Sequence, residues 1–157
     1  KWGARAENMN FKFAPKMAKS ITHFGTLNGK RYLTDTFLEG VMAFGKNLGP
    51  IFIQVNDKFS PKRKEELFNY LASLPKDLQF FLEVRHPGWF AEATERDELF
   101  KTLRKLKIGA VITDTAGRRD CAHACACLAV LASLTLLFSS RNRPDKWNTK
   151  GRRRHTP

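Results

Sequence analysis

Two hydrophobic periods alternate along the 157 residues. NFKFA at 10–14 switches between polar and apolar at each step, as a half-buried strand does, and Pro15-Lys16 is expected to close it. Phe37, Leu38, Val41, Phe44 and Leu48 then return at helical spacing, with Thr34 as the expected N-cap and Gly49-Pro50 as the stop. PIFIQV at 50–55 is a short continuous apolar run, the pattern of a strand buried on both faces. A second helix is expected to open at Ser60-Pro61 and to bury Leu67, Phe68, Leu71 and Leu74 before Pro75 ends it. QFFLEV at 79–84 is a third strand. Thr94 and Asp97 have capping-box spacing, and Leu99, Phe100, Leu103 and Leu106 give the third helix its apolar face. GAVIT at 109–113 is a fourth strand.

Strands that alternate with helices are joined by right-handed crossovers and run parallel. The expected fold class is therefore α/β, a parallel sheet or barrel covered by helices, and an antiparallel fold is excluded. The pattern breaks near 121–123. ACACLAVLASLTLLF at 124–138 shows neither period, and a basic, polar stretch follows it. Two regions are expected: a β/α domain over 1–122, and a tail over 123–157 that is disordered or translated from a shifted frame.

Charge changes this picture less than its size suggests. The formal net charge is +13. After Asp120 there are seven Lys or Arg against Asp145 alone, so six of the thirteen charges belong to the tail. The start, KWGARAENMNFKF, has no apolar run, so no signal peptide is expected, and without an initial Met the chain reads as a fragment. The run at 124–138 is shorter than the roughly 20 residues of a spanning helix, so no membrane is expected. Cys121, Cys125 and Cys127 make no disulfide framework, which points to a reducing, cytoplasmic compartment. With His123 they also lack the spacing of a zinc site.

The candidate chemistry sits where strands end. FFLEVRHPGWF at 80–90 carries Glu83, Arg85, His86 and Trp89 directly after a buried run. Lys16, Gln54 and Asp114 hold the same position on the other strands. Parallel strands end on one rim, so these groups are expected to converge. Lys16 and Arg85 would draw phosphate or carboxylate, one as a point charge and the other as a fork. Glu83 and Asp114 suit general acid and base, because neighbouring carboxylates push their proton affinities apart. His86 with these two is a weak metal set, and no metal site is expected. The bland rivals are an ion pair of Arg85 with Glu83 or Asp114, His86 capping its turn, a solvated Lys16, a Gln54 that only satisfies backbone groups, and Trp89 in the core.

Four pieces, KWGARAENMNFKFAPKMAKSITH, LGPIFIQVNDKFS, FFLEVRHPGWF and AVITDTAGRRDCAH, resemble the YecE-like family, domain of unknown function 72. The resemblance runs to His123 and implies a TIM-type (β/α) barrel, of which this chain would supply about half. It also implies a polar site at the C-terminal strand ends, made of Lys16, Thr22, His23, Gln54, Glu83, Arg85, His86, Trp89 and Asp114, with Arg118, Arg119 and Asp120 as further members. Where the family usually shows prolines after the glutamine, Val55-Asn56-Asp57 stands here. Three functions are carried forward. The first is an enzyme for a small anionic or phosphorylated substrate, with Glu83, Asp114 and His86 catalytic and Lys16, Thr22, His23, Gln54, Arg85 and Trp89 binding. The second is a nucleic-acid-binding protein without catalysis, and the third is an inactive remnant. The residues name no cofactor and no oligomeric state.

Overall fold

The computed structural model describes residues 3, 5, 10–115, 118–119 and 135–139, giving the backbone alone beyond Val111. Strands β1 (Ile51–Gln54), β2 (Phe80–Glu83) and β3 (Gly109–Thr115) run parallel and adjacent, with Gln54 opposite Glu83 and Leu82 opposite Ala110. The short apolar runs form strands because both faces of a parallel sheet can be buried, so no alternation is needed.

The expected first strand departs from its pattern. Its pairing with the chain before and within β1 extends to Met17, whose N–H donates to Phe52 O at 2.7 Å. Pro15 has no N–H to give, so the ladder splits into two parallel bridges, Phe13 with Leu48 and Lys16 with Phe52. Lys16 is therefore paired within the sheet rather than lying beyond a strand that Pro15 ends. Close approach fixes Gly49 in this pairing: a Cβ there would stand 2.8 Å from Phe13 O.

Among the described residues from 10 onward, five helices flank the strands: α1 (Lys19–Thr22), α2 (Arg31–Met42), α3 (Lys64–Ala72), α4 (Gly88–Ala91) and α5 (Ala93–Leu106). Their inward stripes meet one face of the sheet. Leu38, Val41, Leu67, Leu71, Leu99 and Leu103 share a buried cluster with Ile51, Ile53, Val55, Phe80, Leu82, Val84 and Ala110. Burial of each large apolar side chain contributes about 1.5–3 kcal/mol, so this shared stripe outweighs any single cap. Phe52, Phe81 and Val111 alternate with those positions and lie outside the cluster, on the other face.

The helix starts differ from expectation. Thr34 is not an N-cap; it lies inside α2, 5% exposed, and its hydroxyl donates to Lys30 O at 3.0 Å and shares a hydrogen bond with Tyr70 Oη at 2.9 Å. Ser60 precedes a 3₁₀ turn, Pro61–Arg63, and makes no side-chain cap bond. Glu92 rather than Thr94 precedes α5. α2 stops at Met42, and a 3₁₀ turn, Gly45–Asn47, carries the chain to β1.

Beyond β3, a two-residue strand β4 (Arg118–Arg119) turns back antiparallel, with Asp114 opposite Arg119. Strand β5 (Thr135–Ser139) lies parallel to β3, with Ala110 opposite Thr135 and Asp114 opposite Ser139. The apolar run that lacks a visible period thus supplies a strand over its last four residues. The cysteine and histidine group at 121–127 and the basic segment from 140 lie outside the described residues, as does Asp120. Among the described residues, no helix is long and apolar enough to cross a membrane.

Candidate functional site

The bridged first segment and the neighbouring strands β1 and β2 bring Lys16, Gln54 and Glu83 side by side, through the Lys16–Phe52 bridge and the Gln54–Glu83 register. Their side chains form one bonded row. Lys16 Nζ donates to Gln54 Oε1 at 2.6 Å, and Gln54 Nε2 donates to Glu83 Oε2 at 2.6 Å. Arg85 Nε closes the row on Glu83 Oε1 at 2.6 Å. Lysine only donates and a carboxylate only accepts, so the amide between them has one orientation that satisfies both.

Burial grades along the row. Glu83 and Gln54 are each 7% exposed, whereas the Arg85 side chain retains 27% and Lys16 lies at the surface. The row borders a cleft of about 340 Å³ whose remaining lining is Ala14, Phe52, Ile53 and Val111. Two other hollows, about 240 Å³ between α2 and α3 and about 380 Å³ beside Leu78 and Ile108, contain none of the expected site residues.

His23 adds a titratable ring. Its Nδ1 lies 2.8 Å from the Thr22 hydroxyl, itself buried, and Asn56 Nδ2 donates to its carbonyl at 3.1 Å. Burial pushes its imidazole below the usual histidine range, and Lys16, Lys19 and Arg85 push it further, against Asp57. Lys16 is likewise lowered, by burial first and then by Arg85, with Glu83 opposing. Lys19 and Arg85 thus lie within electrostatic reach of both Lys16 and His23, and Lys16 and Arg85 within reach of the buried Glu83 carboxylate.

The other expected members fall elsewhere. His86 Nδ1 accepts the Gly88 N–H at 3.0 Å, so the ring shapes the turn into α4, and the bond requires its proton on Nε2. Trp89, expected at the rim, is wholly buried in the core, with its indole N–H given to Phe59 O at 2.8 Å. The chain turns into α4 straight after Pro87, and that turn carries Trp89 inward. Continuing the β2–β3 register sets Glu83 beside Val111 and the Asp114 backbone three residues on, about 10 Å along the strand. The side chains of Asp114, Arg118 and Arg119 lie outside the description.

Sequence reasoning passed over Lys19, Asn56 and Asp57. Asn56 and Asp57 follow β1 directly, so the strand-exit rule that selected Gln54 could have found them. Among the described residues, no three His, Cys, Asp or Glu side chains gather as a metal would require, and no buried side-chain nitrogen or oxygen lacks a partner.

The profile of the protein family of unknown function DUF72 matches residues 1–153, past His123, where the visible resemblance stops. Over 106 residues, 68% of the chain, it is 29% identical to the UPF0759 protein YecE of Escherichia coli K12 and of Escherichia coli O157:H7, covering 39% of each. A crystal structure of a DUF72 family protein from Thermotoga maritima aligns with a TM-score of 0.50 at 21% identity, over 71% of this chain and 42% of that one. The chain therefore spans about two fifths of the length of the relatives it matches. The structural match supports the α/β parallel sheet, and the profile covers nearly every residue: the chain belongs to the DUF72 family.

Proposed function

We propose that the chain binds a small anionic or phosphorylated molecule at the ends of its parallel strands, within a TIM-type (β/α) barrel to which this sheet contributes. The observation that carries the reading is the bonded row from Lys16 through Gln54 and Glu83 to Arg85 beside an apolar cleft. Small-molecule sites combine such an apolar wall with a few convergent polar groups. An anion seated there would be drawn by Lys16, Lys19 and Arg85, with His23 joining them once protonated. A single cleft of about 340 Å³ suits a compact ligand better than a nucleic-acid backbone. Phe52, Phe81 and Val111 share the sheet face opposite the helices, and the barrel reading turns that face inward, where further strands would enclose it. In an enzymatic role, Glu83 is the buried group that would move a proton. Thr22 positions His23 rather than touching ligand. A cysteine pattern that makes no disulfide framework supports a cytoplasmic setting.

Calorimetric titration with inorganic phosphate tests this reading. Binding is expected, and Lys16→Met should weaken it about tenfold or more, the scale of one hydrogen bond to a charged group. Because Lys16 is exposed, that variant should keep the fold. An absence of phosphate binding, or unchanged affinity in Lys16→Met, would overturn the assignment.

A further inference from the structure

We infer that the hollow at the opposite end of β2 from Glu83 binds one anionic amphiphile, a medium-chain fatty carboxylate, with its alkyl chain inside and its head on a rim of lysines. The site is separate from the anion cleft and does not depend on that reading. It lies between the C-terminal ends of α3 and α5, where β2 and β3 begin, and measures about 380 Å³. Small-ligand sites span about 300–1,000 Å³. Its floor is apolar: Leu71, Leu74, Phe80 and Ile108 are buried and Leu78 is half-buried. Hydrogen bonds hold both walls. Ser73 Oγ donates to Tyr70 O at 2.7 Å at the end of α3. At the end of α5, Lys107 turns left-handed at φ 57°, and the Ile108 N–H donates to Leu103 O at 2.9 Å.

Charge selects the occupant. Lys76, Lys105 and Lys107 line the hollow, and no Asp or Glu does. Among the described residues none of the three forms an ion pair. Lysines at a helix C-terminus ordinarily answer the helix dipole, which accounts for Lys105 and Lys107. It does not account for Lys76, which lies in the loop past Pro75, because that influence falls off within the last turn. Lysine stems lie along apolar walls and carry their ammonium groups to the mouth. A rim of one sign over an apolar floor suits a ligand with an alkyl body and one anionic head.

Calorimetric titration of the full chain with hexanoate, octanoate, decanoate and decyltrimethylammonium, each below its micelle concentration, tests the site. Each buried CH₂ contributes about fourfold in affinity, so binding should strengthen by about that factor per CH₂ from hexanoate to decanoate. Decanoate should bind several-fold more tightly than decyltrimethylammonium. That preference should vanish when Lys76→Glu and Lys105→Glu are combined, and survive in Lys101→Glu, which lies on α5 outside the hollow. Ala72→Trp, placed on the lining, should fill the hollow and abolish decanoate binding. All four positions are exposed, so the variants should keep the fold. No binding of decanoate, equal binding of the two decyl probes, a preference that survives the double Glu variant, or decanoate binding unchanged in Ala72→Trp overturns the inference. Each of these outcomes leaves the phosphate titration, and the reading it tests, untouched.

Discussion

Gln54 Nε2 donates to Glu83 Oε2 at 2.6 Å across adjacent parallel strands, and both residues are buried. The same amide accepts from Lys16, so one side chain mediates between a surface cation and an interior carboxylate. Gln54→Leu keeps the bulk but leaves the Glu83 oxygen short of a donor. A buried group that loses its partner costs about 1–3 kcal/mol. Urea unfolding should show the unfolding free energy falling by that amount, with a lower midpoint; an unchanged midpoint would mean that Glu83 finds another donor.

Protonation of His23 should be coupled to anion binding. Its folded-state affinity for a proton is lowered, so the unfolded chain takes up the proton first as pH falls through the ordinary histidine range. His23 stability is thus fully present above about pH 6.5 and declines below it. A bound dianion reverses the balance by favouring the imidazolium. Sulfate, which does not titrate in this window, should bind more tightly as pH falls from about 8 to 5.5, and His23→Asn should flatten the profile. A pH-independent affinity in the unaltered chain would remove His23 from the site.

Acid stability should depend on a different carboxylate. Glu66 accepts from Arg63 Nε at 2.8 Å, from an Arg63 terminal nitrogen at 2.7 Å, and from Thr26 and Leu27; Arg63 in turn lies 4.3 Å over the Phe59 ring. Arg63 first, with Thr26 and Leu27, holds the Glu66 carboxyl down at about 2. The stability it confers is complete above about pH 4.5 and is lost as pH falls toward 2. The Arg63 side chain is 38% exposed, so solvent screening limits the contribution to about 1–2 kcal/mol. Glu66→Gln should lower stability at pH 7 by that amount and flatten the acid limb between 4.5 and 2. A steep limb that persists in the variant would assign it to other groups.

Gly49 limits how the first segment joins the sheet. An added Cβ would stand 2.8 Å from Phe13 O and 3.2 Å from Lys12 Cβ, and the first of these is backbone that must move. Gly49→Ala should cost about 1–3 kcal/mol, the range for overpacking. Amide hydrogen exchange should speed up at Phe13 and Gly49, whose N–H groups bond Asn47 O and Phe13 O at 2.7 Å. Unchanged protection there would show that the pairing tolerates the methyl group.

The sequence by itself determined the order of strands and helices, because the periods of IFIQ, FFLE and the Leu67–Leu71 and Leu99–Leu103 stripes are local properties of the chain. It also determined that Lys16, Gln54 and Glu83 would meet, since parallel strands of similar length must end together. Only the tertiary structure decided what those groups do to one another: Gln54 is a relay because Lys16 and Glu83 flank it, a relationship made across 38 and 29 residues of sequence. It likewise turned Thr34 from a cap into a partner of Tyr70, and placed Trp89 in the core through the turn at Gly88. Capping and strand-exit rules see only a few residues along the chain, whereas a hydrogen bond goes to whichever donor or acceptor packing brings within reach.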